Sequence, residues 1–276
     1  MVVGMLTAPM HDLAPEKLVD FASSAGIKAL EVHAASKSAH FDPDNVDLAK
    51  RLRDIAGDAG IIISSFAAYV NISATDPAER ERNQGLLARV LDICEAVGVD
   101  ILCCNAGQPA EGLSREETIR QISAPFYRDF ARRAADKGVR LALENWTATN
   151  MRDLSQWELM FEEVPDQNFG LNFDPSHLVW QDIDYLWAVD VFGKRIFHTH
   201  AKDTEIVAHR KAWVGNQASG WWRFVLPGLG VIDWGVYVSR LRRVGYNGVL
   251  SIEHEDSAVG REEGFRIAAQ HLLQFV

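Results

Sequence analysis

The chain has 276 residues, 47% of them hydrophobic and 24% charged, which excludes a disordered protein. Asp and Glu outnumber Lys and Arg 38 to 28, a formal net charge of -10, and this argues against a nonspecific grip on phosphate backbones. Three cysteines, Cys94, Cys103 and Cys104, form no CxxC pair, so neither a disulfide framework nor a structural zinc site is expected. No apolar run approaches the roughly 18 residues of a membrane span, and Met1-Val2-Val3-Gly4-Met5-Leu6 lacks a basic leader. A cytoplasmic protein without membrane or nucleic-acid partners is the expectation.

Short apolar runs alternate with amphipathic segments along the chain. Strands are predicted at about 2–6, 29–33, 61–67, 100–105, 140–145, 169–174, 195–201 and 248–253. Each precedes a helical pattern, at about 14–25, 44–58, 78–97, 114–137, 153–163, 181–192, 233–244 and 260–274. Glycines after helices (Gly26, Gly60, Gly98, Gly138, Gly245) supply left-handed caps just before the next strand. Ser114-Arg-Glu-Glu117 has the capping-box pattern, and Asp76-Pro77 pairs a cap with a first-turn proline.

Eight repeating strand–helix units imply parallel strands, and over this length they predict one closed (β/α)8 barrel spanning residues 1–276. An open doubly wound sheet is the alternative, but no GxGxxG or phosphate-binding loop follows any strand. The longest departure from the repeat is 203–232, after the seventh strand, where a barrel carries its catalytic face.

Strand ends should converge on one mouth. The fifth ends in Leu143-Glu144-Asn145-Trp146, the sixth in Phe173-Asp174-Pro175-Ser176-His177, the seventh in His198-Thr199-His200-Ala201-Lys202-Asp203, the eighth in Ser251-Ile252-Glu253-His254-Glu255. The strand period of two puts Ala142, Glu144 and Trp146 on one face, and likewise His198, His200 and Lys202. A lone carboxylate at a strand end is usually a cap or salt-bridge partner. Three facing one another would repel, and one divalent cation resolves the conflict. Three carboxylates with one imidazole suit Mn2+ first, with Mg2+, Co2+ or Zn2+ also compatible.

These motifs resemble the xylose isomerase-like TIM-barrel superfamily, and within it the sugar phosphate isomerase/epimerase group with inosose isomerases and ketose 3-epimerases. The resemblance implies Glu144, Asp174, His200 and Glu253 as metal ligands. It implies Glu144 and Glu253 as the acid/base pair, His177 as a contact to substrate oxygens, and Lys202 of the H-x-K-D signature reaching toward the pocket. A metal-bound carbonyl would stabilise an enediolate while one glutamate removes and the other returns a proton.

Other residues carry weaker signals. Asn105 ends the fourth strand and is placed to bond a sugar hydroxyl. Cys103 shares its face and reads as small packing. His198 reads as a buried partner behind the ligands. Glu31 and His33 share a face of the second strand, as pocket floor or as a mutual pair. Trp213, Trp221, Trp222 and Arg223 crowd one loop, where Trp222 would stack on a ring and Arg223 would hold a hydroxyl or an anion, unless the loop serves a homo-oligomer contact. Phe66, Tyr69 and Trp146 would complete an aromatic wall.

The expected function is a metal-dependent isomerase or epimerase of a ketose, inosose or other small carbohydrate. The alternatives are a lyase or deglycosidase acting on 3-keto-glycosides, whose aromatic aglycone the Trp-rich loop would receive, then a nuclease like endonuclease IV, which the acidic charge opposes, and a catalytically silent sugar sensor.

Overall fold

The computed structural model describes all 276 residues. Eight parallel strands close into a barrel: β1 (Val2–Leu6), β2 (Ala29–His33), β3 (Ile62–Ala68), β4 (Ile101–Asn105), β5 (Arg140–Glu144), β6 (Phe169–Phe173), β7 (Ile196–Ala201) and β10 (Val249–Ile252). Around the ring they run β1-β10-β7-β6-β5-β4-β3-β2. The fold class is the expected α/β barrel. Helices α1 (Pro15–Ser24), α2 (Val46–Asp58), α3 (Pro77–Val97), α4 (Arg115–Thr118), α5 (Ala124–Asp136), α6 (Leu154–Glu163), α7 (Ser176–Val179), α8 (Tyr185–Phe192), α9 (Ala208–Val214), α10 (Trp234–Arg243) and α11 (Arg261–Leu272) fill the connections. No helix is long and apolar enough to cross a membrane.

The helix starts follow their caps. Asp76 accepts the amides of Ala78 and Glu79 at α3, and Ser114 and Glu117 close a reciprocal capping box at α4. Two expected helices differ. The segment at 181–192 starts later because Asp184 caps α8 through the amides of Leu186 and Trp187, and the short α7 lies before it, outside every expected helix. The segment at 114–137 holds a π turn at Ile119–Ser123, where Pro125 has no amide hydrogen to continue the ordinary ladder.

The larger difference lies in 203–232. This stretch is not an irregular loop: β8 (Asp203–Ile206) pairs antiparallel with β9 (Trp222–Val225), and α9 is inserted between them. Fifteen residues separate the two strands, so no tight-turn signal announces the hairpin.

One apolar core of 65 buried residues lies between the barrel and its helices. A much smaller cluster of Leu6, Ala67, Ile101, Cys103 and Ala142 plugs the barrel interior. Above it the interior is polar: Glu31, Ser65, Asn172, His198, His200 and Ser251 are all buried. The regular ladder slips at two places, between Leu30 and Glu31 and between Leu171 and Asn172. Such irregularities re-aim side chains, and these two immediately precede polar interior residues.

Candidate metal centre and active site

Glu144 ends β5, Asp174 follows β6, His200 lies in β7 and Glu253 follows β10. One ligating atom from each lies within 4.8 Å of all the others. His200 Nδ1 stands 3.1 Å from Glu253 Oε2, 3.5 Å from Glu144 Oε1 and 3.9 Å from Asp174 Oδ2. His200 Nδ1 and Asp174 Oδ2 are buried and have only charged neighbours, Glu253 Oε2 at 3.1 Å and Lys202 Nζ at 3.2 Å, with no well-formed hydrogen bond. One imidazole and three carboxylates converging on one buried point, two of their donor atoms without a well-formed hydrogen bond, fit a divalent cation held by these four residues.

The backbone around the site is tied down locally. Asn145 donates its Nδ2 to the Asp174 carbonyl at 2.8 Å, and its Oδ1 accepts the Asp174 amide at 2.8 Å. That reciprocal pair locks the end of β5 to the end of β6. Asp174 Oδ1 accepts the Ser176 amide at 2.8 Å at the start of α7. The short helix turns His177 back onto the cluster, with Nε2 at 3.4 Å from Glu144 Oε1 and 3.5 Å from Asp174 Oδ2.

Behind His200 stands Glu31, fully buried on β2. Its Oε1 lies 3.2 Å from His200 Nε2 and accepts the Tyr69 hydroxyl at 2.6 Å, while Oε2 accepts the Ser251 hydroxyl at 2.6 Å. A carboxylate acceptor at Nε2 assigns the ring hydrogen there and leaves the Nδ1 lone pair for a cation. Glu31 therefore faces His200 and makes no hydrogen bond with His33, contrary to the mutual-pair alternative. Asn172 and His198 extend the network: Asn172 Nδ2 donates to the Tyr69 hydroxyl at 2.8 Å, and Asn172 Oδ1 accepts from His198 Nδ1 at 3.1 Å. His198 Nε2 ends the chain 3.1 Å from the Ser64 hydroxyl. Asn172 and Ser64 escaped the sequence reading; their one signal was a polar residue on the inward period of a strand.

The charges couple strongly. Burial pushes the Glu144 and Asp174 carboxyls up, but His177, His200 and Lys202 beside them hold both below the usual carboxylate range. Burial also pushes Glu31 up, yet the His200 and His198 rings hold it at about 2. His200 and Lys202 are lowered by burial but raised well above their ordinary values by the surrounding carboxylates. Burial lowers His198 to about 4, so it is neutral. The Cys103 thiol is raised well above its usual value by burial, which leaves it a packing residue.

A cavity of about 190 Å³ opens at the centre, lined by Tyr69, Asn105, Glu144, Trp146, His177, Lys202, Glu253 and Glu255. Of the expected substrate contacts, Asn105, Trp146, His177 and Lys202 therefore border it. Lys202 is buried and ion-paired to Asp174 at 3.2 Å, to Glu255 at 3.3 Å and to Glu253, and it sits over the Phe224 ring. Glu255 lies on the expected face with Glu253, and burial and the Glu253 charge raise its carboxyl.

Two expected contacts do not reach the cavity. Trp222 stacks face to face on Trp180, with centroids 4.4 Å apart and planes 7° off parallel, so that face is covered. Arg223 is held by Glu205 at 2.6 Å and Asp256 at 2.9 Å. The alternation of β9 turns Phe224, not Arg223, toward His177 and Lys202. Trp221 is buried, Trp213 points into solvent, and Phe66 packs on Phe41 in the core. Asp203, next to Lys202, has a distinct task. It accepts the amides of Thr204, Gly228 and Ile232 and the Trp234 indole at 2.8–3.1 Å. This staples the Pro227-Gly228-Leu229-Gly230 turn to the base of the hairpin. A side chain at residue 230 would meet Asp203 Oδ1 at 2.2 Å, so only glycine fits.

A closed parallel barrel with one histidine and three carboxylates converging at the C-terminal ends of its strands defines an enzyme-type barrel with a candidate metal centre. The model of the xylose isomerase-like TIM barrel family matches residues 19–275, and the chain belongs to that family. It is 26% identical to inosose dehydratase of Histophilus somni, covering 85% of this chain and 82% of that protein. It is 24% identical to L-ribulose 3-epimerase of a Methylomonas strain, covering 88% and 79%. Among solved structures, IolI protein with a binding zinc atom superposes with a TM-score of 0.78 at 19% identity, over 100% and 99% of the two chains. Relatives of this chain are thus isomerising, epimerising or dehydrating enzymes.

Proposed function

We propose that the protein is a divalent-metal-dependent isomerase or epimerase that enolises a small ketose, inosose or keto-sugar. The observation that carries this reading is the cluster itself: two glutamates border the cavity, and the donor atoms of Asp174 and His200 lie within 4.8 Å of theirs. Glu144, Asp174, His200 and Glu253 would hold the ion. When bound, a divalent ion supplies Lewis-acid polarisation of the substrate's carbonyl and hydroxyl oxygens.

Glu144 and Glu253 enter from β5 and β10, on either side of β6 and β7 in the ring, so they flank a substrate in the cavity. One carboxylate takes the proton alpha to the ketone and the other returns one, to the opposite face of the same carbon in an epimerisation, or to the neighbouring carbon in an isomerisation, where the hydroxyl proton also passes to the former carbonyl oxygen. His177, which borders the cavity with its Nε2 3.4 Å from Glu144 Oε1, hydrogen-bonds a substrate oxygen. Glu31 orients His200.

Dehydration is the second reading, motivated by the similarity to inosose dehydratase over 85% of the chain. It begins with the same proton removal and then expels a beta hydroxyl as water, one carboxylic acid supplying the proton. Deglycosylation loses part of its motive, because Trp180 stacks on one face of Trp222.

Incubation with Mn2+ and candidate ketoses in D2O tests the proposal. Deuterium at the alpha carbon is expected, with an isomer or an unsaturated product separating the two readings. No exchange with any keto-sugar refutes both. Glu144→Gln and His200→Ala are expected to lose stoichiometric metal; full retention by both would remove the metal assignment.

A further inference from the structure

Lys202 is the only buried lysine in the chain, and it shares its contacts with the candidate metal ligands. Its Nζ lies 3.2 Å from Asp174 Oδ2 and also engages Glu253 Oε2. These are the atoms by which Asp174 and Glu253 face His200 Nδ1. A third carboxylate, Glu255, presents Oε2 at 3.3 Å. The ammonium therefore holds two of the oxygens that a cation bound by Glu144, Asp174, His200 and Glu253 would use, and Glu255 is its one carboxylate partner outside that set.

The surroundings fix where this charge can go. The half-buried Phe224 ring lies over Nζ, 4.5 Å from it to the centroid, and the pairing of Phe224 with Thr204 in the hairpin holds the ring there. Leaving a buried charge without a partner is strongly unfavourable, so Lys202 stays among its carboxylates whatever else binds beside it. A divalent ion then meets a fixed positive charge and contends with it for the same lone pairs. Glu255 relieves the conflict. Its side chain is 46% exposed at the rim, and it is no ligand, so it can keep the ammonium while Asp174 and Glu253 turn to the ion.

We propose that Lys202 is an internal competitor for the metal: it lowers the affinity of the site for a divalent ion, and Glu255 is the carboxylate onto which its ammonium settles when the ion takes the Asp174 and Glu253 oxygens. The proposal rests on the metal assignment made above. It gives Lys202 and Glu255 a task apart from substrate contact, and it ties metal loading to the hairpin through Phe224. A lysine that merely held the carboxylates in place would act with the opposite sign, since its loss would disperse the ligands and weaken binding.

Calorimetric titration of the chelator-stripped, full-length protein with Mn2+ tests the proposal. Lys202→Met keeps an unbranched, flexible stem without the charge. It is expected to bind Mn2+ at least about tenfold more tightly than the wild type, because one like charge beside the ion is gone. Its melting temperature should also rise further on addition of Mn2+ than that of the wild type. Glu255→Gln should weaken Mn2+ binding by about fivefold in the wild type and by less than about twofold in the Lys202→Met background. If Lys202→Met does not fold, Phe224→Ala takes its place: the opened wall lets the ammonium reach water, and Mn2+ should bind about threefold or more tighter. Unchanged or weaker Mn2+ binding by the folded variant, or a Glu255→Gln effect equal in both backgrounds, overturns the competition and leaves the metal site standing. Mn2+ bound by neither the wild type nor the variant removes the metal assignment, and the proposal with it.

Discussion

Replacing Glu31 by Gln removes one negative charge from behind His200 and almost nothing else. Gln keeps an oxygen where Oε1 accepts from Tyr69 at 2.6 Å and faces His200 Nε2 at 3.2 Å. Its amide nitrogen takes the place of Oε2, where the Ser251 hydroxyl can rotate from donor to acceptor. The hydrogen bonds are conserved, but the metal-free protein loses the buried charge that faces the protonated His200, so a stability loss of up to about 3–5 kcal/mol is expected in the metal-free melt. The lost charge makes the His200 ring a poorer ligand. Removing a carboxylate that orients a ligating histidine typically weakens metal binding by about 10- to 100-fold, or roughly 1.4–2.7 kcal/mol. Calorimetric titration of chelator-stripped protein with Mn2+ or Zn2+ measures the change, and a thermal melt of the metal-free protein checks the fold. An unchanged dissociation constant in Glu31→Gln, with Glu144→Gln strongly weakened in the same assay, would refute the role assigned to Glu31.

Three further outcomes follow from particular contacts. Asp203→Ala leaves four donors around an empty site; a loss of about 2–4 kcal/mol is expected, seen as a fall in melting temperature of roughly 4–12 °C, and a shift under 2 °C would contradict the stapling role. In the metal-free protein His200 is raised well above 6.5, so its protonated form stabilises the fold fully below about pH 6.5 and that contribution fades as pH rises through the raised value. Metal must displace this proton, so affinity should climb about tenfold per pH unit near neutrality with one proton released, read by calorimetry in buffers of different ionisation enthalpy; zero release would contradict the protonated ring. Arg223→Ala, whose guanidinium is engaged outside the cavity, should change KM for a turned-over ketose by less than about threefold, whereas Asn105→Ala should raise it about tenfold.

Much of this molecule was legible in the chain. The alternation of apolar runs and capped helices is a local pattern, and it named the barrel strands to within a residue or two at most ends. The inward side chains followed from the period of two: Glu144, His200 and Glu253 point where their strand parity sends them, and Asp174 joins them just past the end of β6. What parity cannot supply is the partner across the ring. Glu31 is 169 residues from His200 and 220 from Ser251, and only closure of the barrel brings the three together. The hairpin β8–β9 hid for a related reason. Its strands are four residues each and stand apart in sequence, so pairing energy, not a turn motif, decides their register. That register sends Phe224 toward the site and engages Arg223 elsewhere, and α7 sets Trp180 over Trp222. Local spacing determined which residues face the mouth; long-range packing decided which of them remain free to meet a ligand, because a side chain's availability depends on every neighbour that folding brings to it.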